Sequence, residues 1–189
     1  MMRAYHTSVA AEAFAAAVFS QAGFDVSVQY GPNQPEYDLV VSAGTQFARV
    51  SVKGSQNGSW LLATKFYRSE EGYPKAISRW LESHRSLLIY CLVQFRGVPL
   101  GECPRIYLAT PQEIASELRK ARNGIGGTVL WEDHGFTRGV AAGTVSQVPK
   151  AWRFSAERLR ALLSSGAQHV AAPDVSRIPR SARRADRRR

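Results

Sequence analysis

Asp38, Ser51, Lys53 and Glu12 are the residues whose types and spacing could support chemistry in this chain. Asp38 lies in the apolar run YDLVV. A carboxylate there must be paired, hydrogen-bonded or bound to a metal, because an ionised group buried alone is costly. Lys53 lies in RVSVKGS, where period two puts Val50 and Val52 on one face and Arg49, Ser51 and Lys53 on the other. A strand in this register aims a serine and a lysine into the same space. If the two segments are arms of a hairpin and the two residues share a face, Asp38 and Lys53 can sit near each other at one end of it. Glu12 stands midway along an alanine-rich helical segment whose small side chains allow close packing on a sheet, so its carboxylate could reach the same place. The plain alternatives are an internal Asp38–Lys53 ion pair, a solvent-facing Glu12 and a Ser51 that only spaces the packing.

The elements that must position these residues can be read from patterning. Thr7 and Ser8 can cap a helix to about residue 21, with Val9, Ala13, Phe14, Ala17 and Val18 as its apolar stripe and Gly23 beyond its end. Residues 24–30 alternate as a strand and GPNQP is a loop. Residues 36–41 are a second strand, AGTQ a hairpin turn and residues 47–55 a third strand. Residues 60–66 read as a fourth. A helix over 73–84, strands over 87–95 and 105–109 and a helix from Pro111 to about residue 122 follow. A short strand over 128–132, a loop over 135–148 and a helix from a Ser155 cap to about residue 163 complete the order. This predicts an α/β domain with a mixed β-sheet flanked by helices. Regular βαβ alternation is absent, and the glycines at 124, 126 and 127 do not form a phosphate-binding fingerprint.

Charge adds a class of partner. The chain carries a net charge of +10, and its last stretch, from Ala171, holds seven arginines against Asp174 and Asp186. Half of the excess is therefore in a tail expected to be disordered from residue 166, and half in the body. Polyanions are the natural partners of such a surface, although a basic tail can be merely solubilising. Lys65, Tyr67 and Arg68 mix cations with aromatics, as nucleic-acid surfaces do. No apolar run reaches the roughly 18 residues of a membrane span, and a signal peptide is not expected. Two cysteines give no disulfide framework, Cys91 reads as a small buried hydrophobe, and the four histidines show no ligand spacing. These features fit a cytoplasmic protein.

The order of a helix with an internal Glu, a strand carrying Asp and a hairpin to a strand carrying x-V-K resembles the PD-(D/E)xK nuclease superfamily. EYDLVV followed by RVSVKGS is most similar to its Holliday junction resolvase and intron homing endonuclease branch. The resemblance covers about residues 5–95. It implies a restriction-endonuclease-like core, an elaboration over about 96–165 and a single domain over 1–165, with residues 166–189 as tail. It implies Mg²⁺-dependent (or Mn²⁺-dependent) hydrolysis of DNA, with Asp38 and Glu12 as metal ligands and Lys53 at the water and phosphate. The motif's second acidic position falls on Ser51, and Pro35 comes three residues before Asp38, so the motif's proline has no match.

A neutral hydroxyl is a poor Mg²⁺ ligand beside a carboxylate. Three accounts of Ser51 stand: Glu12 and Asp38 suffice, Glu36 or Gln56 supplies the missing oxygen, or cleavage is lost and DNA binding remains. GSQNGSW is placed beside the site, with Ser55, Gln56 and Asn57 as candidate DNA contacts together with Lys53, Lys65 and Arg68. An ordinary hairpin loop explains the same composition. The alternatives to a nuclease are a non-cleaving DNA-binding protein on this fold and a protein-interaction domain with a structural Asp38–Lys53 pair. A homodimer is open, since many nucleases of this type pair to cut two strands.

Overall fold

The computed structural model of the chain describes residues 2–29, 36–84 and 88–167. The expected loop at 31–35 and all but the first two residues of the expected tail lie outside the described residues. Residues 166–167 belong to the last helix.

Helix α1 (Ala4–Gln21) owes its continuity to alanine, the best helix former, and buries Thr7, Ala11, Ala15 and Phe19 at intervals of four. It begins a turn earlier than its expected Thr7/Ser8 cap. Thr7 lies inside the first turn, and its hydroxyl donates back to the Arg3 carbonyl at 3.2 Å. Strands β1 (Asp25–Val28), β2 (Leu39–Ala43) and β3 (Gln46–Ser55) form an antiparallel meander. The β2–β3 turn falls where AGTQ places it, with Gly44 at φ 59°, a conformation glycine adopts without strain.

Between β3 and β5 (Leu88–Gln94) the chain crosses over through β4 (Ser59–Leu61) and α2 (Gly72–Glu82). The crossover makes β3 and β5 parallel neighbours, as a connection of this length permits. β6 (Arg105–Ala109) returns antiparallel on β5, giving a five-stranded mixed sheet in the order β1-β2-β3-β5-β6. Helix α3 (Pro111–Lys120) starts on a capping box between Thr110 and Glu113 with Pro111 behind it. β7 (Val129–Trp131), β8 (Asp133–Gly135), β9 (Val145–Gln147) and α4 (Ala156–Ala167) complete the chain. The Ser155 hydroxyl accepts from the Arg158 amide at 3.1 Å, as its capping role requires.

Helices flank the sheet on both faces. On one, α1 and α4 cover Val41, Val50, Val52, Cys91 and Leu108. On the other, Trp60, the α2 residues Ile77 and Trp80, the α3 residues Ile114 and Leu118, and Trp152 pack on Leu88, Tyr90 and Leu92. Two expectations fail locally. The strand expected over 60–66 is the three-residue β4 followed by a 3-10 turn (Thr64–Phe66), and β4 pairs with β7 outside the main sheet. The expected loop over 135–148 contains β9 and meets the end of β8, which pair with each other. Strands of three residues are too short to show an alternation.

No described helix is long and apolar enough to cross a membrane.

Candidate active site at the open edge of β3

The unequal lengths of β2 and β3 create the site. Leu39 pairs with Val50, the last position of the β2–β3 ladder, so residues 51–55 of β3 have no β2 partner and pair only with β5. Asp38 stands immediately before β2, not in the middle of a strand. Its amide donates to the Val50 carbonyl at 2.9 Å and its carbonyl accepts from Gln29, which fixes its backbone. Its carboxylate then continues the ladder that β2 abandons. Oδ2 accepts from the Val52 amide at 2.6 Å, and the Ser51 hydroxyl donates to it at 3.5 Å.

Lys53 Nζ lies 3.9 Å from the same oxygen, with the lysine side chain 44% and the Asp38 side chain 15% exposed. The lysine backbone is held separately, because Trp60 Nε1 donates to the Lys53 carbonyl at 2.8 Å. Period two operates as expected: Val50 and Val52 enter the α1/α4 core, while Ser51 and Lys53 line a cavity of about 300 Å³ on the other side. Glu36, Lys65, His84 and Tyr90 line the same cavity.

Glu12 arrives from α1. Gly54 permits the approach: a Cβ there would lie 2.7 Å from the Thr7 carbonyl oxygen and 2.9 Å from the Ala11 Cβ. The helix residue after Ala11 is thereby brought to the open edge. Burial raises the Glu12 pKa above its ordinary value, the neighbouring Asp38 charge raises it further, and Lys53 partly offsets both. Glu12 therefore lies within electrostatic reach of Asp38 and Lys53.

The proposed DNA contacts divide. Lys65 shares the cavity with Lys53. Arg68 is exposed, and its guanidinium donates to the carbonyls of Lys65 and Tyr67. Ser55 is buried and donates to Asn57 Oδ1, which also accepts from the Ser59 amide and hydroxyl. These groups hold the 55–59 turn together, as an ordinary hairpin loop would. Gln56 bonds to the main chain of Met2 through both ends of its amide, and so is turned to the α1 N-terminus. Of the two residues considered for the missing oxygen, Glu36 alone lines the Lys53 cavity.

His84 was not visible as a site residue. It lies four residues after the buried Trp80 and just past α2, where it reads as packing. Its Nε2 is 2.8 Å from the Tyr90 hydroxyl. Burial pushes the Tyr90 phenol up to about 12. Cys91 is fully buried, and burial pushes its thiol up as well, which suits an inert core residue. No group of three or more His, Cys, Asp or Glu side chains suited to a metal occurs among the described residues.

No protein-family model and no curated protein matches the chain. Among solved structures, it is similar to the bacterial homing endonuclease I-Ssp6803I at 14% identity and a TM-score of 0.47, over 89% of this chain and 98% of that one.

Proposed function

We propose that the chain is a metal-dependent DNA endonuclease of the PD-(D/E)xK type. The observation that carries this reading is the Asp38–Lys53 pair at the open edge of β3, beside a solvent-reachable cavity and within electrostatic reach of Glu12. Asp38 and Glu12 would hold Mg²⁺ or Mn²⁺. They fit such an ion: both offer hard carboxylate oxygens, and burial together with the Asp38 charge raises the cost of ionising Glu12, a cost a divalent cation relieves. Mg²⁺ is commonly bound through one or two carboxylates with substrate phosphate and water completing the shell. When bound, the ion neutralises phosphate charge and lowers the pKa of a water.

The chain's own groups do the rest. The Val52 amide and Ser51 hydroxyl orient Asp38. The Lys53 ammonium, half in solvent and anchored through its carbonyl, faces the position where charge develops on the phosphate. Plasmid and branched-DNA cleavage in Mg²⁺ or Mn²⁺ tests this. Cutting should require metal and vanish in Asp38→Ala and Lys53→Ala.

A second reading is a DNA-binding protein on the same fold that does not cut. The neutral Ser51 favours it, since the site then offers two carboxylates where three acidic groups would hold an ion more firmly. Wild type and both variants would then shift DNA in a gel, with steep salt dependence and no cleavage.

A further inference from the structure

A second basic site lies away from the Lys53 cavity. Arg96, Arg105, Tyr107, Lys150 and Arg153 line a cavity of about 580 Å³, together with Glu132 and Asp133. It is built by the end of β5, by β6, by the β7–β8 connection and by the 3-10 turn Lys150–Trp152 with the residue after it. We infer that this cavity binds phosphates of a nucleic-acid backbone, next to the phosphate proposed at Lys53. The inference rests on the nucleic-acid reading of the preceding section but not on cleavage.

Charge and order support it. Glu132 is buried and fully engaged. Arg105 Nε donates to its Oε1 at 2.6 Å, Arg105 Nη2 to its Oε2 at 2.9 Å, and the Tyr107 hydroxyl to Oε1 at 2.9 Å. Burial alone would raise the Glu132 pKa, but these partners outweigh it and hold the carboxyl below its ordinary value. Glu132 and Arg105 thus cancel and form a fixed floor. Above it stand Arg96, Lys150 and Arg153, all exposed and none in an ion pair with a described carboxylate, against the single charge of Asp133.

Two of the three are preoriented. The Arg153 guanidinium lies 5.4 Å from the centre of the Tyr107 ring. The Arg96 carbonyl accepts from Arg105 Nη2 at 2.8 Å, and the Arg96 guanidinium lies over Gly58, where a Cβ would come within 2.6 Å of Nη1. Cations held in place lose less freedom when they meet a phosphate.

The cavity is also tied to the Lys53 site. The indole that holds the Lys53 carbonyl meets Tyr107 edge-on, with ring centres 6.3 Å apart. Trp60 therefore links the main chain of Lys53 to Tyr107 in the wall of the second cavity. Two cationic sites joined through one packed side chain suit a polymer with repeating phosphates better than an isolated anion.

The test is fluorescence anisotropy of a labelled DNA duplex in EDTA across a salt series, with the full chain and two variants that leave Arg105 and Glu132 intact. Arg96→Ala/Lys150→Ala should weaken binding about ten-fold near 0.1 M salt and flatten the plot of log K against log salt by about two, one per lost phosphate contact. Asp133→Asn should tighten binding, an outcome no folding defect mimics. Wild-type affinity and slope in both variants would overturn the cavity assignment while leaving DNA binding in place. Failure of the wild type to bind DNA would overturn both this inference and the proposed function. A mononucleoside monophosphate that competes as well as the duplex would make the cavity a nucleotide pocket and reject the backbone assignment.

Discussion

Asp38 has two jobs that substitution can separate. Its Oδ2 completes the β3 ladder at the Val52 amide, 2.6 Å away, and it faces the Lys53 ammonium at 3.9 Å. Asp38→Ala removes a charge-assisted hydrogen bond and leaves a buried amide without its acceptor, a loss of about 2–4 kcal/mol. Asp38→Asn keeps an oxygen in place and should cost only about 1 kcal/mol, the difference between a charged and a neutral acceptor. The ion pair itself contributes little, because a lysine 44% exposed at 3.9 Å is worth about 0–1 kcal/mol. Lys53→Ala should therefore barely change stability, yet lower the cleavage rate by about 10²–10³-fold if the ammonium stabilises transition-state charge. Urea unfolding followed by fluorescence of the buried Trp60 and Trp80 measures the first quantity, and plasmid nicking in Mg²⁺ the second. Lys53→Ala destabilised by several kcal/mol, with a wild type that does not cut, would refute the reasoning and leave a structural ion pair. So would Asp38→Asn cutting at the wild-type rate.

Other perturbations probe the same site. Ser51 is 2% exposed and borders the cavity, so Ser51→Glu should raise Mg²⁺ affinity in calorimetry and lower the stability of the metal-free protein; unchanged or weaker Mg²⁺ binding rejects the idea. Glu36→Gln should weaken Mg²⁺ binding if Glu36 supplies the missing oxygen, and Gln56→Ala should not. Gly54→Ala should lower stability by about 1–3 kcal/mol through overpacking against Thr7 and Ala11, and a melting temperature equal to wild type would show that α1 sits less tightly than described. The raised Glu12 pKa makes the folded state bind a proton more tightly than the unfolded one, so stability from this group is complete below 4.5 and is lost as pH rises through the raised value. Glu12→Gln should remove that fall from a plot of urea midpoint against pH, and a plot superimposable on wild type would contradict it.

The legible part of the fold is the part written in local pattern. Period two separated Val50 and Val52 from Ser51 and Lys53, AGTQ marked the hairpin turn, and Pro111 opened α3, each through chemistry confined to a few neighbouring residues. The parallel β3–β5 pairing left no local trace, because it depends on a crossover of more than thirty residues. The α1 start was misplaced because Thr7 bonds back to Arg3 inside the helix instead of capping it. Within the candidate site, type and spacing paired Asp38 with Lys53, and the two side chains lie 3.9 Å apart. His84 and the Arg105–Tyr107–Glu132 network were not. His84 joins the cavity through its contact with Tyr90, and Glu132, between the short strands β7 and β8, meets Arg105 across 27 residues. Residue type alone could not reveal either arrangement.

The geometry also weighs the competing accounts of Asp38 and Lys53. If the pair existed to stabilise the fold, the better design would bring the ammonium into hydrogen-bonding contact and bury it, since exposed pairs contribute almost nothing. Here the amine is left half in solvent beside a cavity, while its backbone is pinned by Trp60 and its neighbour Ser51 is buried. Asp38 is tightly positioned by the Val52 amide, so its orientation does not need the lysine. Glu12 adds a second carboxylate within electrostatic reach, a placement that raises its own pKa and contributes no stability near neutral pH. A fold gains nothing from assembling mutually unfavourable charges on an open strand edge. Under the proposed function a divalent cation would relieve the repulsion between the two carboxylates, and a phosphate would then meet that cation and the Lys53 ammonium.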